Sequence, residues 1–170
     1  MLVRNEVLFK WTLYALAALL CLAVQGSLLQ RVTLWGVIPF LYPLAAVIPA
    51  TFNAPAAGTA FALAVGVVCD LLLPGSLPCF YTLTFPLAGL VASLLSRSLL
   101  SAGVLCSLAA GAMAFFLTGS FHCLALWAGG KAAWGAGAYL TLREFCVTAP
   151  LTVPMTVLFR AVAERTRLDE

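Results

Sequence analysis

The sequence predicts an all-α fold: a polytopic membrane protein with a compact bundle of six transmembrane helices, both chain ends on the cytoplasmic side. Three observations predict it. The 170-residue chain is 64% hydrophobic and only 9% charged, where a soluble domain is nearer half apolar and a quarter charged. Its apolar residues fall in runs near the ~20 residues that span a bilayer as a helix. Its basic residues gather at the two chain ends. Such a length suits a single membrane-embedded domain over 1–170.

The first span covers about 11–29. Arg4 and Lys10 precede it as in a signal peptide, but the run is too long for an h-region and no A-x-A site follows. The second span, about 36–52, contains Pro39, Pro43 and Pro49. Membrane helices tolerate proline when neighbours satisfy the freed carbonyls, so this span is expected to be kinked or partly unwound. The third, about 56–73, starts after Asn53-Ala-Pro55 and stops at Pro74-Gly75. The fourth, about 79–96, ends at Ser96-Arg97-Ser98. The fifth, about 99–119, can extend to Trp127 before the glycine-rich Ala128-Gly-Gly-Lys131. The sixth, about 133–162, carries Arg143, Glu144, Pro150 and Pro154.

Orientation follows from lysine and arginine placement. Six spans put Arg4, Lys10, Arg97, Arg160, Arg165 and Arg167 on one side, and Arg31, Lys131 and Arg143 on the other. The richer side is the cytoplasmic one. Trp35, Trp127 and Trp134 then fall near the outer face, as an interfacial belt does. The net charge of +3 forms no basic stripe, so nucleic acid is not an expected partner.

The third span holds the most informative pattern. Gly58, Ala62 and Gly66 recur in steps of four, and the next step lands on Asp70. Steps of four keep one slowly drifting face. Small residues let membrane helices approach closely, so this stripe packs the bundle internally or docks a partner's helix. Gly103, Ser107 and Gly111 repeat the device in the fifth span, and Ala88, Ala92 and Ser96 in the fourth. A carboxylate in hydrocarbon costs about 2.5–3.5 kcal/mol on the lenient insertion scale, so Asp70 needs a partner. Either Arg143 pairs with it, with Glu144 as a competing acid, or Asp70 reaches the interface and caps the Pro74-Gly75 turn. Ion transport would need further intramembrane acids or histidines as a relay.

Other features point away from chemistry. The six cysteines are scattered with no C-x-x-C, and there is one histidine, His122, so neither a metal site nor a cofactor is expected. Cys79 and Cys123 both fall in outer segments and are read as free thiols, with a disulfide as the alternative. No nucleophile elbow, P-loop or dinucleotide fingerprint occurs, and an enzyme is not expected.

Taken in order, Gly36-Val-Ile-Pro39, then Gly58…Gly66-Val-Val-Cys-Asp70-Leu-Leu-Leu-Pro-Gly75, then an apolar helix with Gly89 resembles the rod shape-determining MreD family of bacterial inner-membrane proteins. The match covers most of the chain and is most specific over 36–92. Phe40 stands where the family carries an acid after Pro39, so a role for that acid does not carry over. The resemblance implies a non-enzymatic scaffold in cell shape and peptidoglycan synthesis. Its partner would be a bitopic MreC-like protein and, through it, an MreB-like filament and the wall synthases of the elongation complex. Asp70, Arg143, Gly58, Gly66, Gly75 and Pro39 would be the structural positions.

The family is similar in fold to the substrate-binding subunits of energy-coupling-factor vitamin transporters, which supplies a rival function. Trp35, Phe80, Tyr81, Phe85, Trp127 and Trp134 could line an outer pocket there, with Asp70 or Arg143 as anchor. Ala15, Ala17, Ala18 and Ala23 do not make the A-x-x-x-A docking face of such subunits, and no small-molecule ligand is expected.

Overall fold

The computed structural model describes residues 2–73, 79–130 and 134–166. Among them the secondary structure is helical: α1 (Leu2–Ser27), α2 (Tyr42–Thr51), α3 (Pro55–Leu72), α4 (Phe80–Ser98), α5 (Val104–Ala128), α6 (Trp134–Thr148) and α7 (Thr152–Arg165). Five stretches are long and apolar enough to cross a membrane: Glu6–Arg31, Pro55–Leu72, Phe80–Ser98, Val104–Ala128 and Gly135–Arg165. The last is α6 and α7 joined by a 3-10 turn at Ala149–Leu151, where Pro150 cannot donate the ladder hydrogen bond.

The second predicted span departs from a full helix. Only Tyr42–Thr51 is helical, with Pro43 in its first turn and Pro49 inside. Ten residues rise about 15 Å, half of the hydrocarbon core. Before it the chain turns sharply. Leu34 and Val37 exchange both backbone hydrogen bonds, at 2.9 and 3.0 Å, across Trp35 (φ 54) and Gly36 (φ 73). Positive φ at both central residues is the type I′ turn, which glycine enters without steric cost and tryptophan does not.

This short helix is the centre of the molecule. Every residue of α2 is buried, and it packs against α1, α3, α4, α5 and α7. Its apolar side chains join an interior with Tyr14, Phe61, Phe85, Phe115 and Phe159. Tyr14 stacks on Phe159 with ring centroids 6.2 Å apart. The outward faces are apolar too: Leu16, Leu19 and Leu20 of α1, Leu71 of α3 and Phe116 of α5 are exposed. An apolar interior inside an apolar exterior suits lipid rather than water.

Unwinding the chain before α2 frees backbone groups that lipid cannot solvate. Side chains from distant elements take them up. Gln25 of α1, 2% exposed, donates from Nε2 to the Pro39 carbonyl at 2.8 Å and accepts from the Leu41 N–H at 2.8 Å. Its amide thus pairs as a neighbouring peptide would. The Phe40 N–H donates to Thr148 Oγ1 of α6 at 3.0 Å, and Thr148 donates onward to the Glu144 carbonyl at 2.7 Å. Pro39 has no N–H to satisfy. At the other end of α2, Ser93 of α4 donates to the Ala50 carbonyl and Asn53 to the Pro49 carbonyl, at 2.9 and 2.8 Å.

Candidate functional site

The stripe Gly58, Ala62, Gly66 lies against α4 and is buried. A Cβ built on Gly66 would lie 2.5 Å from the Tyr81 carbonyl oxygen, and one on Gly58 would lie 2.6 Å from Ser93 Oγ. Ala62 fills the space that Gly89 leaves, 2.6 Å from where a Gly89 Cβ would stand. In α5, Gly111 leaves room for Leu44 and Ser107 is fully buried. These positions therefore pack the bundle internally, as the first of the two readings of the stripe had it, and do not form a free face for a partner helix. The reason is geometric: α2, α3 and α4 can surround one another only where backbones come this close. Gly103 precedes α5 in extended backbone, with the Ser101 carbonyl 3.8 Å from where its Cβ would be.

The same register delivers Asp70 to the start of α4. Its Oδ1 accepts from the Tyr81 N–H at 3.0 Å, and its Oδ2 accepts from the Thr82 N–H at 2.8 Å and from Thr82 Oγ1 at 2.6 Å. The first turn of a helix leaves N–H groups without partners. Cys79, at the N-cap with φ 58, supplies no side-chain cap. Asp70 is thus a cap contributed by the neighbouring helix, and its negative charge faces the positive end of the α4 dipole.

This corrects the proposed Asp70–Arg143 pair. Arg143 is on α6, whose neighbours include α5. Its guanidinium stacks over the Tyr139 ring, 5.5 Å from the centroid, and approaches the Gly36 turn, where a Cβ would lie 3.5 Å from Nη2. Among the described residues the ion pair is Arg160–Glu164 at 2.8 Å. Asp70 caps, as the alternative reading had it, but its partner is α4 rather than the turn that follows α3. Pro74, Gly75, Lys131, Arg167 and the side chains of Arg4 and Trp134 lie outside the described residues.

Pro39 is fully buried and its carbonyl receives Gln25, so it belongs to the framework that holds α2. Sequence reasoning missed Gln25 and Thr148 in this role. Gln25 was legible only as a polar residue near the end of the first span.

A cleft of about 240 Å3 opens between α4, α5 and α6. Phe40, Phe80, Tyr81 and Phe115 give it aromatic walls, with His122 and Glu144 among its polar groups. The rings form a connected series: Phe115 to Phe40 6.4 Å, Phe40 to Tyr81 6.2 Å, Tyr81 to Phe80 5.2 Å and Phe80 to His122 5.9 Å between centroids. Of the expected outer-pocket residues, Phe80 and Tyr81 line this cleft. Phe85 is fully buried in the core, Trp35 is 75% exposed on its turn, and Trp127 is exposed at the end of α5. Tryptophan prefers the interface, so the exposed rings stay at the surface and phenylalanines form the walls.

All six cysteines are free, with Cys79 and Cys146 exposed and the others buried. Among the described residues no three His, Cys, Asp or Glu side chains come together as a metal site would need. The helical fold and its apolar exterior define a multi-pass membrane protein. No family model, no curated protein and no solved structure matches this chain.

Proposed function

We propose that the chain is a non-enzymatic scaffold of the MreD type in the bacterial cytoplasmic membrane, holding a bitopic MreC-like partner within the cell-wall elongation complex. The observation that carries this reading is how the polar groups inside the bundle are used. Gln25, Ser93, Thr148 and Asp70 all satisfy backbone groups of α2, of the stretch before it, and of α4. A carrier needs such groups facing its substrate path; here they fix helices in place. The sequence resemblance over residues 36–92 supports the same reading.

Topology follows if the unwound stretch and α2 cross the membrane together. The non-helical residues 38–41 and the ten-residue helix reach about 28 Å, close to the ~30 Å core. The chain then crosses six times and both ends face the cytoplasm. With the glycine stripes used inside, a partner helix meets large outward side chains such as Leu16, Leu19 and Leu20 of α1.

The vitamin-transporter reading rests on the cleft, but about 240 Å3 falls below the ~300–1,000 Å3 of pockets for drug-sized ligands. Affinity purification from native membranes separates the two. Recovery of wall-elongation proteins is the expected result. Recovery of an ATPase pair with a coupling subunit would overturn the scaffold.

A further inference from the structure

Glu144 is the acidic side chain that the framework does not use. Thr148 binds its backbone carbonyl, and among the described residues nothing donates to its carboxylate. It is half-buried on the wall of the cleft, facing a space bounded by Phe40, Phe80, Tyr81 and Phe115. It lies near the end of the bundle where the broken second span begins: one helical turn beyond it, Thr148 holds the Phe40 N–H. Arg143, its neighbour in sequence, is engaged with Tyr139.

An unpaired carboxylate within a membrane bundle calls for a cation or a proton. Aromatic faces attract cations through their quadrupoles, and quaternary or primary ammonium groups are what aromatic cages with a carboxylate recognise. Thr148 ties the Glu144 backbone to the Phe40 backbone through bonds of 2.7 and 3.0 Å, so the two residues stay side by side on the cleft wall. The cleft is small, and His122 and Leu140 on its rim are exposed, so a compact group can enter from outside.

We propose that this cleft is a binding site for a small ammonium group, with Glu144 as its counter-ion and Phe40, Tyr81 and Phe115 as its aromatic walls. The group comes from a free amine such as choline or ethanolamine, or from the headgroup of a phospholipid carrying one. The proposal is independent of the scaffold reading.

The test uses the full chain in mild detergent. Thermal unfolding is followed with choline chloride, with ethanolamine, and with 3,3-dimethylbutan-1-ol, the neutral isostere of choline. In a parallel arm, native mass spectrometry counts phosphatidylcholine or phosphatidylethanolamine retained against phosphatidylglycerol. Stabilisation by the ammonium compounds but not by the isostere, or selective retention of the two amine lipids, supports the site; the arm that responds assigns the source. Glu144→Gln is expected to weaken binding about tenfold or more, as loss of a charge-assisted contact does, with the helical circular dichroism unchanged. Equal effects of choline and its isostere without selective retention of the amine lipids, no response in either arm, or a folded Glu144→Gln protein that binds as the wild type does would overturn it. If Glu144→Gln does not fold, the isostere comparison and the lipid arm decide alone.

Discussion

Asp70→Ala removes a cap that one helix supplies to another. Three hydrogen bonds of 2.6 to 3.0 Å end on this carboxylate, and two of them satisfy first-turn N–H groups of α4. Loss of an ordinary N-cap side chain costs about 0.5–2 kcal/mol. The lost charge at the helix N-terminus adds about 0.3–1 kcal/mol. Leaving two donors where lipid surrounds the bundle raises the figure, and the partial exposure of Asp70 lowers it because water reaches the site. The sum is about 1–3 kcal/mol for alanine and about half of that for Asp70→Asn, which keeps an acceptor oxygen. Unfolding of detergent-solubilised protein with added SDS, followed by circular dichroism, reads the change. A double-mutant cycle assigns it: Asp70 and Thr82 should couple by about 1 kcal/mol or more, and Asp70 and Arg143 should not couple. The capping argument is refuted if Asp70→Ala unfolds within about 0.5 kcal/mol of the wild type, or if Arg143→Ala costs as much and the double variant costs no more.

Gly66→Val drives a side chain into the Tyr81 carbonyl and should destabilise by about 3 kcal/mol or stop accumulation in the membrane, as overpacking does; Gly26→Val, with open space around it, is the control and should express normally. Gln25→Leu preserves the apolar volume but orphans the Pro39 carbonyl and the Leu41 N–H; about 2–5 kcal/mol should be lost, measured by the same SDS titration. Thiol labelling reads exposure and sidedness together: Cys79 should react in intact cells with a membrane-impermeant maleimide, while buried Cys69 and Cys106 should react only after denaturation. Labelling of Cys79 solely in inverted vesicles would reverse the proposed orientation.

Much of the architecture was legible because hydrophobic runs and small-residue steps are local signals. Gly58, Ala62, Gly66 and Asp70 share one face by arithmetic alone, and the structure puts that face on α4. Three prolines announced that the second span would be irregular. Which part would unwind depended on Gln25, 14 residues before Pro39, and on Thr148, 108 residues beyond Phe40. Periodicity carries no information about partners so far apart. Arg143 was mispaired for a related reason: matching depth along two helices does not fix which helices are neighbours. The cleft was mis-lined because tryptophans at the outer ends look like pocket walls, whereas Trp35 and Trp127 stand exposed at the surface, as their preference for the interface has it.

The clamp on the second span has a consequence for how the chain is made. Phe40 waits for a hydroxyl that the ribosome adds 108 residues later. Until Thr148 has emerged, the stretch before α2 carries an unsatisfied N–H that lipid will not accept, and α2 alone is too short to cross. The stretch before α2 is therefore expected to settle only after α6 has reached it. A nascent chain arrested before residue 148 should leave α2 accessible to water-soluble probes.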